Sequence, residues 1–165
     1  MEPKTVGRKR GQAPADASLA MGGLPVGARI LTLSGEMPVE HLMPGDRIIT
    51  RDVGMAVLRN IRRRRLVTRA VKILAGSLGD TRPDCDVILP EDQHVHVRDW
   101  RARAMFNLPT ALVPAAALVD GEFITALGEI EMDVITLIFD SPHVLYVDGL
   151  ELAGHDMAQP LHSAA

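Results

Sequence analysis

The sequence lacks several features that would define its chemistry or its compartment. Among 165 residues there is one cysteine, Cys85, and only 3% are aromatic. A single thiol cannot close an intrachain disulfide, and without a Cys-x-x-Cys pair a thiolate zinc site is excluded. No apolar run approaches the roughly 20 residues that a membrane-spanning helix needs. We therefore expect neither a disulfide scaffold nor a membrane protein, and we expect Cys85 to be a small buried core residue.

A strong excess of charge of one sign is also missing. The formal net charge is −3 at pH 7, which gives no general attraction to nucleic acid or to an anionic membrane surface. The N-terminal region carries Lys and Arg but no apolar segment of the kind that a signal peptide needs. We expect no nucleic-acid or membrane partner and a cytoplasmic location, with secretion by a signal-independent route left open.

Short apolar segments separated by Gly and Pro turns dominate the middle of the chain. Their length and spacing favour an irregular all-β fold over alternating strands and helices. Three segments are ambiguous: "VEHLM" and "VPAAALVDG" are each candidates for one helical turn, and "DWRARAMFNLPTALV" has an Ala/Arg-rich start that is a candidate for a helix. Residues 1–22 and 154–165 show no periodicity and are rich in small and polar residues. We predict that they are flexible tails around one folded domain, residues 23–153.

Six arginines crowd residues 59–69. One interpretation is a phosphate-binding patch. The other is a strand pair with a solvated face, on which the arginine stems cover the core. No aromatic residue interleaves the run and the whole chain is acidic, so we favour the solvated face.

Two histidines stand two apart in "LPEDQHVHVRD", residues 89–99. In a strand, His94 and His96 would point to the same face, a spacing that can chelate a metal ion. A third ligand would have to come from nearby carboxylates or distant histidines: Glu91, Asp92, His143 or His155. Two histidines packed in a strand explain the same pattern, and their spacing alone leaves both interpretations open.

A larger pattern begins with "LPVGARILTLSGEMPVEHLMPGDRIITRD", residues 24–52, in which Gly and Pro-Gly turns bend short strands into an arch. It closely resembles the start of Hint domains, the module shared by hedgehog autoprocessing regions and inteins. The blocks that follow in order are "AVKILAGSLG", "DVILPEDQHVHV", "ALVPAAALVDG" and "VITLIFDSPHVLYVDGL". Together they cover roughly residues 23–150 and are most similar to the bacterial Hint-domain subfamily.

The resemblance implies a compact, pseudo-symmetric all-β fold and a chemistry directed at the protein's own chain. In such domains a thiol or hydroxyl on the first residue attacks the carbonyl just before it. A histidine in the middle block helps to protonate the departing amine, which is otherwise a poor leaving group.

The resemblance also places individual residues. His94 matches the middle-block histidine, with Glu91 where a Ser or Thr is usual, and His143 matches the late-block histidine, with Pro142 as an insertion before it. Gly23 stands at the nucleophile position and has no side chain with which to form an ester or thioester. The His-Asn ending of an intein is absent as well.

These departures predict a degenerate module that has lost autocatalytic cleavage and splicing and serves a binding or structural role. It would need no cofactor and no metal, and an unidentified protein is its expected partner. Two alternatives remain open at this point. One is an active self-processing protein that uses an unconventional nucleophile, such as Ser18 or Cys85. The other is a β module that binds a metal or ligand through its histidines.

Overall fold

Strands supply most of the regular structure. The structure is a computed structural model that describes residues 22–79 and 81–156. In these residues the strands are β1 (Leu24–Pro25), β2 (Arg29–Thr32), β3 (Gly35–Pro38), β4 (Arg47–Thr50), β5 (Gly54–Val57), β6 (Asn60–Ile73), β7 (Val87–Pro90), β8 (His94–Val97), β9 (Ala111–Pro114), β10 (Ile124–Phe139), β11 (Val144–Val147), β12 (Leu150–Ala153) and β13 (His155–Asp156). The predicted all-β fold is confirmed.

The short helices lie in the three segments that the sequence left ambiguous. Two are 3₁₀ turns, Val39–His41 and Ala115–Leu118, and the third is the helix α1, Trp100–Phe106. The carboxylate of Asp99 caps α1 by accepting the N–H of Arg101 at 3.0 Å. None of the helices that the structure describes is long and apolar enough to cross a membrane.

Two sheets form the fold. The first has the order β1-β10-β6-β7, with β13 added in parallel to β10. The second has the order β3-β2-β4-β11-β12-β8-β9, with β5 on the far side of β4. Only a short segment separates the end of β10 at Phe139 from the start of β11 at Val144. The chain therefore passes from the first sheet to a central strand of the second.

The long strands β6 and β10 form an antiparallel ladder that runs from the Ile124–Ile73 pair to the Ile138–Asn60 pair. A bulge shifts the register between Ala126 and Gly128, and Gly128 has φ 77°, which favours glycine there. Residues 129–133 in the middle of β10 alternate acidic and apolar residues, whereas residues 134–139 are almost continuously apolar and buried. That change marks the point at which the strand enters the core.

The arginine run lies on this ladder. Arg65 makes two hydrogen bonds with the Asp133 carboxylate, at 3.0 and 3.1 Å, and Arg59 pairs with Asp140 at 2.8 Å. Exposed arginines of the run thus pair with carboxylates on β10 and just after it, whereas Arg64 is half-buried and one of its guanidinium nitrogens is shielded from solvent, so the run is only in part a solvated face.

The main core lies between the sheets and is almost purely aliphatic. Its largest fully buried side chains are Phe139, Ile30, Ile48, Leu58, Ile73, Leu89, Ile124, Ile135, Leu137, Leu145, Leu150 and Leu152. The predicted tails, residues 1–22 and 154–165, lie outside the described residues apart from Gly22 and residues 154–156, the last two of which form β13. The domain boundaries stay predictions.

Candidate functional site

Gly23 precedes β1, which pairs with the core end of β10 through Leu24 and Ile135. Its φ of +125° is a conformation that residues with side chains rarely adopt. A Cβ placed on Gly23 would lie 3.1 Å from the Cβ of Val134 and 3.2 Å from its Cγ2. The backbone and its surroundings at this position are therefore both suited to glycine.

The backbone N–H of Gly23 donates to the side-chain oxygen of Gln93 at 2.8 Å. Gln93 is only 1% exposed, and its side-chain nitrogen donates to the carbonyl oxygens of His94, at 3.0 Å, and Ala153, at 2.9 Å. These two donor bonds determine the orientation of the amide, so the group that faces Gly23 is an acceptor.

His94 begins β8 and is half-buried. Its Nδ1 lies 3.0 Å from the carbonyl oxygen of Asp92, and since a carbonyl only accepts, Nδ1 carries a proton. In the neutral imidazole, Nε2 is then the acceptor nitrogen. Burial of Asp92, together with repulsion from Glu91, raises the pKa of the Asp92 carboxyl.

His143 lies between β10 and β11, and its side chain is 9% exposed. Its Nδ1 is 2.8 Å from Oδ2 of Asp52, and its Nε2 is 3.3 Å from the hydroxyl of Ser141. The ring of Phe139 packs edge-on against the imidazole, with a centroid distance of 5.6 Å.

Asp52 follows β4 and holds two groups at once. Its Oδ1 accepts the N–H of Val144 at 3.0 Å while its Oδ2 faces His143. Partial burial raises the pKa of the Asp52 carboxyl, but hydrogen bonds from Val144, from His143 and from its own backbone outweigh that effect, so the pKa lies below its ordinary value. Asp52 therefore stays ionised at neutral pH and holds the His143 ring in one orientation.

Hydrogen bonds connect the segments that carry the three predicted site residues. Gln93 joins the backbone of Gly23 to the end of β12 at Ala153. The next residue, Gly154, donates its N–H to the carbonyl oxygen of His143 at 2.8 Å. Gly23, the segment before His94 and the segment of His143 thus meet at the end of β12.

His96 has a different environment from His94. Its Nδ1 lies 2.7 Å from the carboxylate of Glu151, which is only 2% exposed. The same carboxylate also faces three guanidinium groups, those of Arg51 at 3.3 Å, Arg82 at 3.3 Å and Arg98 at 2.9 Å. His96 is therefore part of a buried ionic cluster on the outer face of β12, rather than a residue held by apolar packing alone.

The metal interpretation finds no support in the described part of the chain. No group of three or more His, Cys, Asp or Glu side chains there is placed to hold a metal ion. The two strand histidines instead have separate partners, the Asp92 carbonyl for His94 and the Glu151 carboxylate for His96.

The expectation that Cys85 is a buried core residue is wrong. Cys85 is exposed in the loop before β7, between Asp84 and Asp86. Partial desolvation raises the pKa of the Cys85 thiol, and the negative charges of Asp148, Asp84 and Asp86 raise it further. Fewer thiolates form at neutral pH as a result, which makes Cys85 a poor substitute nucleophile.

Sequence reasoning missed three residues that organise this region. Gln93 is adjacent to His94 but was assigned no role, and Asp52 closes the quoted "IITRD" segment. Glu151 has the clearest signal, a single charge between two leucines in a strand. A carboxylate in an otherwise apolar strand is expected to be buried, and a buried carboxylate needs charged or hydrogen-bonding partners.

Comparisons with known proteins agree with this fold. The sequence model described as "Hint domain" matches residues 23–153. The structure is similar to the crystal structure of the gp41-1 intein, with 15% identity and a TM-score of 0.53, over 82% of this chain and 99% of that one. It is also similar to the solution structure of a bacterial intein-like domain from Clostridium thermocellum, with 17% identity and a TM-score of 0.55, over 82% and 99%. At these identities the likeness shows the fold alone, and no curated protein matches the chain.

Proposed function

This chain belongs to the Hint domain family, and we propose that it is a degenerate member that has lost self-cleavage and splicing and serves a binding or structural role. The observation that carries the proposal is Gly23 at the nucleophile position. Glycine offers no thiol or hydroxyl, so the acyl shift that begins Hint chemistry has no acceptor atom on this residue.

The local structure supports the same conclusion. Gly23 has φ +125°, and a Cβ there would contact Val134 at 3.1 Å. A nucleophilic side chain would meet both backbone strain and a crowded neighbour, so the loss extends beyond one side chain to the packing around it.

Gln93 also cannot supply the proton that cleavage of the Gly22–Gly23 bond would need. The Gly23 N–H donates to the Gln93 oxygen at 2.8 Å, and an amide oxygen has no proton to give to a departing amine. Since amine departure requires protonation, Gln93 stabilises the intact peptide rather than its cleavage.

We propose that His94 and His143 are remnants of the ancestral site. His94 retains a ring nitrogen that can accept a hydrogen bond, and His143 retains a carboxylate partner in Asp52. With the nucleophile gone, neither histidine serves self-cleavage, and Gln93 beside His94 holds the strand ends together. We propose an unidentified protein as the partner of the module.

Intact mass spectrometry tests the proposal. The purified full chain is incubated with dithiothreitol, which cleaves thioesters, or with hydroxylamine, which cleaves both thioesters and esters. The mass of the chain is followed over time. We expect one uncleaved species, and His94→Ala and Cys85→Ala variants should give the same profile. Fragments that map to the Gly22–Gly23 bond would overturn the proposal. If those fragments disappear in the Cys85→Ala variant, self-processing uses the unconventional thiol.

A further inference from the structure

We propose that Ser141, His143 and Asp52 form an activated serine that accepts acyl or phosphoryl-type groups from electrophilic esters. This activity is separate from the self-cleavage that the degenerate site has lost, and it uses neither Gly23 nor His94. It rests on three side chains placed in series by two hydrogen bonds.

The first part of the argument is the order of the groups. Asp52 Oδ2 lies 2.8 Å from His143 Nδ1, and His143 Nε2 lies 3.3 Å from the Ser141 hydroxyl. Because the ionised carboxylate accepts, Nδ1 carries the proton and Nε2 presents a lone pair to the hydroxyl. A nucleophile within reach of a base, and a base oriented by a third group, is the arrangement that activates serine. A separation slightly above 3.2 Å is common before substrate binds.

The second part is the rigidity of the base. The side chain of His143 is 9% exposed, and Phe139 packs edge-on against its ring. Asp52 is itself fixed, since its other oxygen accepts the Val144 N–H at 3.0 Å. An imidazole held this way does not need to search for its orientation before it takes a proton.

The third part is access. Ser141 and Pro142 are exposed, while the base behind them is buried, so an incoming ester can reach the hydroxyl without unfolding the site. Pro142 follows Ser141 directly, and its ring restricts the backbone between the hydroxyl and the histidine. The insertion that distinguishes this chain from the family pattern is therefore also the segment that presents the serine.

The reaction balances within these groups. The Ser141 oxygen attacks the carbonyl carbon of an ester, and its proton passes to His143 Nε2. A bond from the serine oxygen to carbon forms, the bond from carbon to the leaving oxygen breaks, and His143 returns the proton to the departing alkoxide. With a fluorophosphonate the oxygen attacks phosphorus, fluoride leaves, and the proton remains on His143.

A fluorophosphonate probe tests the site on the full-length chain. We expect one adduct per molecule, mapped to Ser141 by peptide mass spectrometry, and acetylation of the same residue by p-nitrophenyl acetate. Ser141→Ala should abolish both modifications. Ser34→Ala, which removes another exposed serine, at the turn of the first hairpin, is the matched control and should label like the original chain. Equal labelling of Ser141→Ala, or no labelling of the original chain, would overturn the proposal.

The roles of the other two groups are tested separately. His143→Gln should slow labelling by at least about a hundredfold, the lower end of the range for a lost general base, and Asp52→Asn should slow it as well. Asp52 is a positioning residue, so its variant should also change the imidazole tautomer, read from the ring ¹⁵N shifts of His143. Asp52→Glu, which keeps the charge, should recover part of the rate. If Ser141 labels equally fast in all three variants, its reactivity is that of an ordinary exposed hydroxyl and the proposal fails. Cleavage at Gly22–Gly23 is measured independently, so either result leaves the proposed function separately testable.

Discussion

The backbone N–H of Gly23 donates to the buried side chain of Gln93 at 2.8 Å, across 70 positions of sequence. This bond joins the start of the first strand to the residue just before His94. Gln93 also donates to the carbonyl oxygen of Ala153 at the end of β12. One side chain therefore bonds to both Gly23 and β12, near the two ends of the domain. Gly23, the position that the family resemblance assigns to the nucleophile, thus bonds to the framework of the fold.

Gly23→Cys should fail to restore cleavage. The cysteine must adopt φ near +125° and bring its Cβ to 3.1 Å from Val134, so we expect a stability loss of about 1–3 kcal/mol. Intact mass after thiol treatment reads cleavage, and urea unfolding reads stability. Gly27→Cys is the matched control, since Gly27 also has positive φ but no atom within 4 Å of an added Cβ. Thiol-induced cleavage of Gly23→Cys would show that the backbone adapts and that only the nucleophile is missing.

Gln93→Met should destabilise the fold by about 3 kcal/mol, because it keeps the volume but leaves one buried and two half-buried backbone groups without their partner. Those groups are the N–H of Gly23 and the carbonyl oxygens of His94 and Ala153. The free energy of unfolding in urea measures the effect. Asn60→Ala is the control, since Asn60 is exposed and its amide oxygen accepts the N–H of Ile61. A loss no larger than that of the control would contradict the central role assigned to Gln93.

Asp52→Asn and Asp92→Asn should shift the pH dependence of stability in opposite directions. The folded-state pKa of Asp52 lies below the ordinary value of 3.8 for an aspartate. Its stabilisation is therefore present above that value and is lost as pH falls through the lower folded pKa. Asp52→Asn should be less stable than the original chain at pH 7, with the difference closing in acid.

The folded-state pKa of Asp92 is raised by burial and by Glu91. Ionising Asp92 therefore costs stability as pH rises through that raised value, and Asp92→Asn should be the more stable protein at pH 7. Its advantage should vanish when the pH falls below 3.8, the ordinary pKa of an aspartate. Thermal unfolding between pH 3 and pH 7 checks both variants, and an Asp52→Asn deficit that stays constant down to pH 3 would show that its hydrogen bonds matter but its charge does not.

The local architecture could be predicted from sequence because its signals are local. Glycine and Pro-Gly turns at Gly35 and Gly45 separate strands that the structure contains, and the 3₁₀ turns Val39–His41 and Ala115–Leu118 lie where the pattern weakened. The ordered blocks of the family resemblance then allowed the fold of the whole domain to be predicted. Propensity and turn chemistry act over a few residues, so a sequence displays them directly.

The contacts that organise the site could not be predicted, since they join distant positions. Asp52 and His143 are 91 residues apart, and no spacing rule connects them. Cys85 was misplaced for a related reason: burial statistics favour a buried cysteine, whereas the acidic loop that exposes it depends on how that loop packs beside Asp148.

Glu151→Gln should be the most destabilising of these changes that alter only charge. The carboxylate is 2% exposed and faces three arginines and one histidine. Removing its charge leaves three guanidinium groups without their shared anion. A broken buried pair costs about 3–5 kcal/mol, and because Arg51 and Arg98 are partly exposed, at 35% and 37%, we expect the lower end of that range. Of the three arginines Arg82 is the most buried, at 19% exposure. Arg82→Gln added to Glu151→Gln should therefore recover part of the loss by removing one uncompensated charge.

Asp140→Asn, which breaks the exposed pair with Arg59, is the matched control and should cost at most about 1 kcal/mol. Urea unfolding of these proteins and of the Arg82→Gln single variant measures the coupling. If Glu151→Gln costs no more than Asp140→Asn, water compensates the arginines and the cluster contributes little to the fold. A deficit that the double variant partly reverses would instead establish Glu151 as the charge that holds the ends of β4 and β8 and the Arg82 loop against β12.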